Sequence, residues 1–430
     1  MTAPSTPSDK GSLPIATAVL VFLSFALAYF LSALVRAITA TLSPTLSVEF
    51  ALQTSDLGLL AGGYFLGFAL TQLPLGNWLD RFGPKRVILG FLALAVLGVI
   101  AFALAGQFAT LLAARVLTGM GVSACLMAPL TGFRRWLTPA AQLRANAWML
   151  MTGSLGMLAS TLPVQWLMPV VGWRGLFWGL AVLIALSMLV LAWAVPYWNT
   201  AEAHEAGDGH GPVPPGYGAI WRSRFFQRMT PIGFFCYGGM VAVQTLWAGP
   251  WMVRVSGFSA EQAAQGLFWI NAFMLVTFWV WGLVNPALVR RGLSAPRLMA
   301  WGMPLSFVVL LANIVLADGT GWLGWALYCV SCTFVTLSQP AVALAFVPAL
   351  AGRALSAYNL VIFSGVFVVQ WGIGLLVDAF AKAGWSVTAS FQGAFAVYLV
   401  GCILSYLCFL AVKAEGRAPT PVRQTVGQAR

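Results

Sequence analysis

Apolar stretches of about 20 residues or more, each long enough to cross a bilayer as a helix, follow one another along almost the whole chain. A water-soluble fold has no interior large enough for them. Hydrophobic residues make up 60% of the 430 positions and charged residues only 8%, against about a quarter charged in a soluble globule. Twelve runs can be marked, at 14–37, 56–78, 86–106, 108–132, 144–168, 173–196, 229–253, 261–288, 297–317, 321–347, 354–378 and 387–412. They are continuous rather than alternating, which excludes a transmembrane β-barrel. The first is too long for a signal-peptide core and has no cleavage site after it. The expected fold class is an all-α membrane protein with twelve transmembrane helices.

Charge placement sets the expected topology. The net charge of +12 would suit nucleic acid if the basic residues were clustered on one face, but they lie between the apolar runs. With the N-terminus taken as cytoplasmic, every one of the 23 lysines and arginines except Arg36, Arg115, Arg174, Arg254 and Lys382 falls inside. This positive-inside bias puts both termini in the cytoplasm, as an even number of spans requires. All six cysteines lie within apolar runs, where a disulfide framework is not expected. Cys329 and Cys332 have CxxC spacing but no histidine near them in sequence. His204 and His210 sit in a polar, glycine- and proline-rich stretch that reads as a linker. The expected organisation is a cytoplasmic tail (1–13), a six-helix bundle (14–196), a cytoplasmic linker (197–228), a second six-helix bundle (229–412) and a cytoplasmic tail (413–430). A shift of about 208 residues lays Gly58-Leu59-Leu60 on Gly266-Leu267-Phe268, and Arg144 and Gly156 near Arg353 and Gly365, a weak internal repeat of the kind that builds transporters from halves.

Between the second and third runs stands Gly76-Asn77-Trp78-Leu79-Asp80-Arg81-Phe82-Gly83-Pro84-Lys85-Arg86. Gly76 permits close helix contact, Asp80 can face a helix N-terminus or an arginine, and Gly83 with Pro84 turns the chain. This segment resembles the loop between helices two and three of the major facilitator superfamily of secondary transporters. Arg115-Val116-Leu117-Thr118-Gly119-Met120-Gly121 is similar to that superfamily's fourth-helix motif, and Gly172-Trp173-Arg174 is similar to its sixth-helix start, where Trp173 and Arg174 read as interfacial anchors. The second copy of the loop, with Asn285, Pro286, Arg290, Arg291 and Gly292, has lost its acid. The resemblance covers essentially the whole chain and implies two pseudo-symmetric six-helix bundles with a substrate site between them. It also implies that Gly76, Asp80, Arg81, Gly83, Lys85 and Arg86 form a cytoplasmic latch, against Arg144 or the start of helix eleven at Arg353 and Ser356. For Arg115 it leaves a structural bond and a coupling role equally open.

Arg36 is the charge that most bears on substrate. Placed near the outer part of the first run, it costs about 2.5 to 3.5 kcal/mol on insertion scales if it lies at the bilayer centre, and no intramembrane acid is in sequence reach. Glu49, Asp56, Asp318 and Asp378 all read as outer-end residues. In organic-anion branches of the resembled superfamily an arginine on helix one binds carboxylate or phosphate, which a guanidinium grips in bidentate fashion; the alternative for Arg36 is a structural role, snorkelling to the outer interface or bonding the helix-seven backbone. The repeat counterpart of Arg36 is near Gln244, not a second arginine, which favours a monocarboxylate or zwitterion over a heavily phosphorylated solute. Tyr64, Gln72, Gln244, Trp247, Asn271 and Asn359 are the further candidate substrate-binding residues, with Trp148 and Thr152 weaker. Met240, Gln244, Trp247 and Trp251 at helical spacing equally suit a packing stripe.

The glycine-proline element of drug-proton antiporters is missing from helix five, and so is the asparagine-bearing nitrate signature from helices five and eleven. No Walker loop and no HExxH appears. The expectation is therefore a multi-pass inner-membrane secondary transporter, not an enzyme, with no cofactor, no metal, no catalytic residue and no nucleic-acid partner. Its partners would be the lipid bilayer and a small-molecule substrate, with a coupling proton carried by Asp56 or Asp378 as one option and a monomer as the working unit. Proton-coupled efflux of a hydrophobic compound is the alternative within transport, and a non-transporting membrane sensor the alternative outside it.

Overall fold

The structure, a computed structural model, describes residues 13–197 and 217–412. The two expected tails, apart from Leu13, and most of the expected linker, with His204 and His210, lie outside the described residues. The described chain is helix throughout apart from short connections. In chain order α1 is Ile15–Glu49, α2 is Thr54–Leu70 continued by 72–82, α3 is 84–104, and α4 is Phe108–Val122 continued by Ala124–Trp136. Then α5 is Pro139–Ala159 continued by 162–171, and α6 is 173–194. After a short helix at Tyr217–Arg222 come α7 (Arg224–Arg254), α8 (Ala260–Arg290), α9 (Ala295–Leu316), α10 (Trp322–Leu344), α11 (Pro348–Lys382) and α12 (Val387–Ala411).

Two reversals turn on a single residue. Helical geometry breaks only at Gly83 (φ 74°, ψ 163°) between α2 and α3, and at Gly172 (φ 67°, ψ 169°) between α5 and α6. These angles exclude side chains bearing a Cβ at little strain. That Gly83 reverses the chain is visible in what α4 touches. Its Leu112 and Val116 meet Gly63 and Gly67 of α2, running the same way, whereas its Thr118 and Gly121 meet Gly98 and Ala95 of α3, running oppositely. Gly292 (φ 78°) and Gly384 (φ 90°) occupy the matching α8–α9 and α11–α12 turns.

The repeat read from sequence has a packing counterpart. Gly156 of α5 lies against the Phe30 carbonyl of α1, and Gly365 of α11 lies against the Phe234 carbonyl of α7. Each half therefore contains the same helix pair held by the same close approach. Small residues serve this purpose in membranes, where apolar burial alone gives helices no reason to associate. Trp193 and Trp301, 76% and 69% exposed, stand on the outside where lipid takes the place of a protein core.

One boundary differs materially from expectation. The first span does not end at 37, because α1 continues to Glu49. Its last turns are a hydroxyl-rich run whose Thr39, Thr41 and Ser43 are buried. Thr41 donates to the Ser160 carbonyl at 2.8 Å and Ser43 to its own Ala40 carbonyl at 2.8 Å. These bonds make a polar-looking sequence compatible with a buried helix. As a result Arg36 is not near an outer end: thirteen residues, about 20 Å of helix, separate it from the α1 C-terminus.

The halves meet along α2 and α11, which run antiparallel in close register. Gly58 faces the Gln370 backbone, Gly62 faces Phe367, the Phe68 and Phe363 rings meet at a tilt with centroids 4.4 Å apart, and Gly76 lies near Ser356 Oγ. A Cβ at Gly58 would sit 2.3 Å from the Gln370 oxygen, so only glycine allows this approach. Between α1 and α7 a second contact brings Gly249 to the Ala40 carbonyl.

Candidate substrate site

Arg36 reaches the seam between the halves from α1. Its polar neighbours are the hydroxyls of Tyr29 and Tyr64, and its guanidinium lies 5.7 Å from the centre of the Phe68 ring. Its Nε is buried without a hydrogen-bond partner. The six described carboxylates, Glu49, Asp56, Asp80, Glu261, Asp318 and Asp378, all belong to helix ends or connections. A partly buried guanidinium with phenols and rings around it and an unpaired Nε retains unused donors, and an uncompensated charge in this setting calls for an anion.

Arg115, in contrast, has both terminal nitrogens bonded within its own half, although its Nε, like that of Arg36, is buried without a partner. Only 1% exposed, it donates through Nη1 to the Val35 carbonyl at 3.1 Å and through Nη2 to the Thr39 hydroxyl. Its guanidinium also lies 5.3 Å from the Tyr64 ring centre. These bonds fix α1 on either side of Arg36, and the Tyr64 hydroxyl adds a bond to the Ser32 carbonyl at 3.3 Å. Arg115 thus positions α1, and Arg36 projects from the position so fixed.

Facing them from the second half is a relay. Tyr237 of α7 donates to Gln339 Oε1 of α10 at 3.2 Å, and Gln339 Nε2 donates to Asn359 Oδ1 of α11 at 2.7 Å. Arg36 and Tyr29 lie close enough to Tyr237 to act on it electrostatically. Helix irregularities surround this region. Tyr237 closes a π-helical turn at Gly233–Tyr237, and Gln339 follows a 3-10 turn at Thr333–Leu337. In the first half the breaks in α2 and α4 meet where the Thr71 hydroxyl donates to Ser123 Oγ at 2.8 Å. Such turns interrupt the regular ladder and commonly mark functional stretches of helices.

Of the candidates read from sequence, Arg36, Tyr64 and Asn359 belong to this seam. Gln72 is buried and bonds back to the Phe68 carbonyl of its own helix at 3.2 Å. Gln244 and Asn271 bond each other at 3.0 Å. Trp247 is wholly buried and donates to the Gln370 carbonyl at 3.2 Å, while Trp251 packs on Trp325 and Phe395. The stripe through 240, 244, 247 and 251 packs largely within the second half, with the Trp247 ring also reaching Gly58 of α2 across the seam. Trp148 is 56% exposed, and Thr152 bonds the Trp148 carbonyl at 2.9 Å. Tyr29, Tyr237 and Gln339 were not among the candidates. Gln339 directly before Pro340 in an apolar run was the one sequence signal available.

The two ends of the α2–α11 pair carry the remaining polar machinery. At one end the Asp378 carboxylate of α11 accepts from the α2 backbone amides of Thr54 at 3.2 Å and Ser55 at 2.7 Å. Arg254 of α7 donates to Thr54 Oγ1 at 2.9 Å. At the other end Asp80 is exposed. The cations acting on its carboxylate are Arg134 of α4 and Arg353 of α11. Arg144, also exposed, is not among them, so of the two partners expected for Asp80 the structure brings up the α11 side and substitutes Arg134 for Arg144. Tyr217, from the helix preceding α7, donates to the Leu73 carbonyl beside this end at 3.2 Å. Arg81 lies on Phe82, Lys85 is buried with its amine 4.0 Å from the Tyr197 ring centre, and Arg86 is exposed. Trp173 and Arg174 serve a contact within the protein. Trp173 is 4% exposed, and both donate at 2.6 Å to Glu49, tying α6 to the end of α1.

Two helical bundles joined at a polar seam, with an arginine short of partners on one side and a neutral amide relay on the other, define a class of multi-pass membrane transport proteins. The sequence pattern of the Major Facilitator Superfamily matches residues 25–370, and the chain belongs to that family. Among its relatives, a probable sulfoacetate transporter of Cupriavidus necator is 26% identical over 256 residues, 55% of this chain and 58% of that protein. A 4-hydroxybenzoate transporter of Acinetobacter baylyi is 25% identical over 316 residues, 65% of this chain and 69% of that protein. The first match spans little more than half the relative's length. In fold, the chain is similar to a bacterial homologue of the human lysosomal transporter Spinster, with a TM-score of 0.77 at 16% identity, covering 95% of this chain and 100% of that one. A D-xylose-proton symporter gives a TM-score of 0.72 at 16% identity, covering 92% and 98%.

Proposed function

We propose that the protein is an inner-membrane secondary transporter of a small organic anion, with Arg36 as the anion's ligand. The observation that carries this reading is the buried Nε of Arg36, with phenols and a ring as its neighbours and no carboxylate on any described helix interior. Relatives whose names specify 4-hydroxybenzoate and, in Escherichia coli, L-galactonate support an organic monoacid, while the doubly charged sulfoacetate named for another supports only the broader organic-anion class. The basic-residue bias supports cytoplasmic termini, which puts Asp80 on the cytoplasmic side and Asp378 on the outer side. Substrate binding at the seam shifts the balance between outward-facing and inward-facing states, to the extent that it binds one better than the other. A coupling proton has no carboxylate inside the bundle to ride on among the described residues.

The test is thermal stability of the purified protein across a panel of small carboxylates, sulfonates, amino acids, neutral solutes and hydrophobic cations, repeated with Arg36→Gln. A ligand at a hundredfold excess over its Kd stabilises the folded state by about 2.7 kcal/mol. Organic anions should raise the native midpoint and leave Arg36→Gln unmoved. If cations or hydrophobic compounds stabilise both proteins equally and anions neither, the reading fails in favour of efflux.

A further inference from the structure

The two faces of the seam differ in charge and in how their donors are used. On the Arg36 side the cation whose terminal nitrogens are not tied to its own half is Arg36 itself, because Arg115 gives its Nη1 to Val35 and its Nη2 to Thr39, the Nε of both arginines being buried and unpaired. On the facing side the relay has a direction. The phenol donates to the glutamine, which donates to the asparagine. Each link uses up the acceptor of the next group and leaves donors at the far end. A side-chain amide has two N–H donors, so Asn359 Nδ2 keeps both, since it makes no hydrogen bond among the described residues. Gln339 keeps one. At the near end Tyr237 Oη, having given its proton to Gln339, retains acceptor capacity. A group that suits a phenol acceptor and amide donors together is one that both donates and accepts, namely a hydroxyl. A second carboxylate would meet no cation there and would be desolvated against neutral groups at a large cost.

We propose that the Tyr237–Gln339–Asn359 relay reads a hydroxyl group on the substrate, so that the site selects a singly charged organic anion bearing a hydroxyl away from its acidic head and disfavours dianions. This rests on the anion reading of Arg36 and adds to it the chemistry of the other end of the molecule. The substrate thereby bonds both halves at once, the head to α1 and the hydroxyl to α7, α10 and α11. Phe68 lies against Phe363 with the rings tilted by 51°, and Phe363 stands one turn beyond Asn359 on α11.

The experiment compares matched probes by calorimetric binding to the full chain in lipid nanodiscs. The pairs are 4-hydroxybenzoate with benzoate and 3-hydroxybutyrate with butyrate, and succinate serves as the dianion. In at least one pair the hydroxylated member should bind native protein about tenfold tighter or more, as sites built to pair a substrate hydroxyl discriminate against the analogue lacking it. Succinate should bind more weakly than that member. Asn359→Leu should bring the ratio to about two or below while leaving the deoxy member's affinity within about threefold. Tyr237→Phe, which keeps the ring and its packing, should do the same if the leucine variant does not fold. Arg36→Gln should lose both members. Native protein that binds monoanions without favouring the hydroxylated member overturns this inference alone. So does a ratio that survives in the folded variants, or succinate binding as tightly. If no monoanion binds the native protein, the anion reading falls and this inference with it.

Discussion

The two ends of the α2–α11 pair are built from the same parts in different states of use. Each helix carries an acid near its C-terminal end beside the first turns of its antiparallel partner, Asp378 beside α2 and Asp80 beside α11. Asp378 is seated, with two backbone amides of α2 bonded to it and Arg254 fastening Thr54 alongside. Asp80 makes no hydrogen bond among the described residues and has only the fields of Arg134 and Arg353. A carboxylate at a helix N-terminus contributes about 0.3–1 kcal/mol when exposed and up to about 2 kcal/mol when partly buried. Under the proposed alternating access, two such seats at opposite ends of one pair would let the bundle exchange one closed end for the other at little net cost. The difference teaches that the seam's two ends are not equally closed. The Asp378 end also has Gly249 of α7 against α1.

The strongest way to break this asymmetry is steric. In Gly58→Val the new Cβ meets the Gln370 carbonyl oxygen at 2.3 Å and the Trp247 ring at 3.2 Å, and both neighbours are backbone or packed interior. Overpacking of this kind typically costs about 1–3 kcal/mol. The thermal midpoint should fall, and spin labels on the first turn of α2 and the last turns of α11 should report a longer distance. An unchanged distance with an unchanged midpoint would show that the Asp378 end does not depend on close backbone approach.

Asp378→Asn is the subtler break. The amide keeps the shape but loses the charge that two N–H groups and the helix terminus favour, a loss of about 1–2 kcal/mol, or a factor of about 5–30 in population. With Ser55→Cys as reporter, maleimide labelling from outside should rise by several-fold. The background is favourable, since of the six free cysteines five are buried and Cys408 is partly so. Labelling unchanged by Asp378→Asn would mean that the seat holds nothing shut.

How much of this was legible in the chain depends on how far the responsible signal extends. The Gly76–Arg86 segment declares itself locally, and Gly83 turns the chain where its sequence says. Arg36, Tyr64 and Asn359 stood out because polar groups are expensive in apolar runs. The end of α1 was misjudged, since Thr39, Thr41 and Ser43 look like a loop unless one knows which carbonyls they reach, one of them on α5. Tyr237 and Gln339 were invisible for the same reason, being partners 102 residues apart. Trp247 is ambiguous in sequence, because a tryptophan facing a core and one facing a cavity obey the same helical period. Trp173 and Arg174 have the composition of membrane anchors, and only the distant Glu49 shows their other use. Pairings across helices decide sites in a bundle, and helix periodicity does not encode them.

The smallest effect on stability, and the sharpest on the comparison, belongs to Asp80→Asn. In the state seen here that carboxylate is exposed and has no bonds to lose, so the midpoint should move by no more than about 0.5 kcal/mol equivalent. If Asp80 is the seat used when the opposite end opens, removing its charge depopulates that opposite state. Labelling at Ser55→Cys should then fall below the native level, the reverse of the Asp378→Asn result, and the transport rate should drop because one half of the cycle has lost its stabilised end. Both variants read with one reporter must therefore move it in opposite directions. If Asp80→Asn instead destabilises the protein as much as Asp378→Asn, or raises the labelling with it, the two acids do not alternate, and Asp80 is a fixed part of the fold whose partners are Arg134 and Arg353.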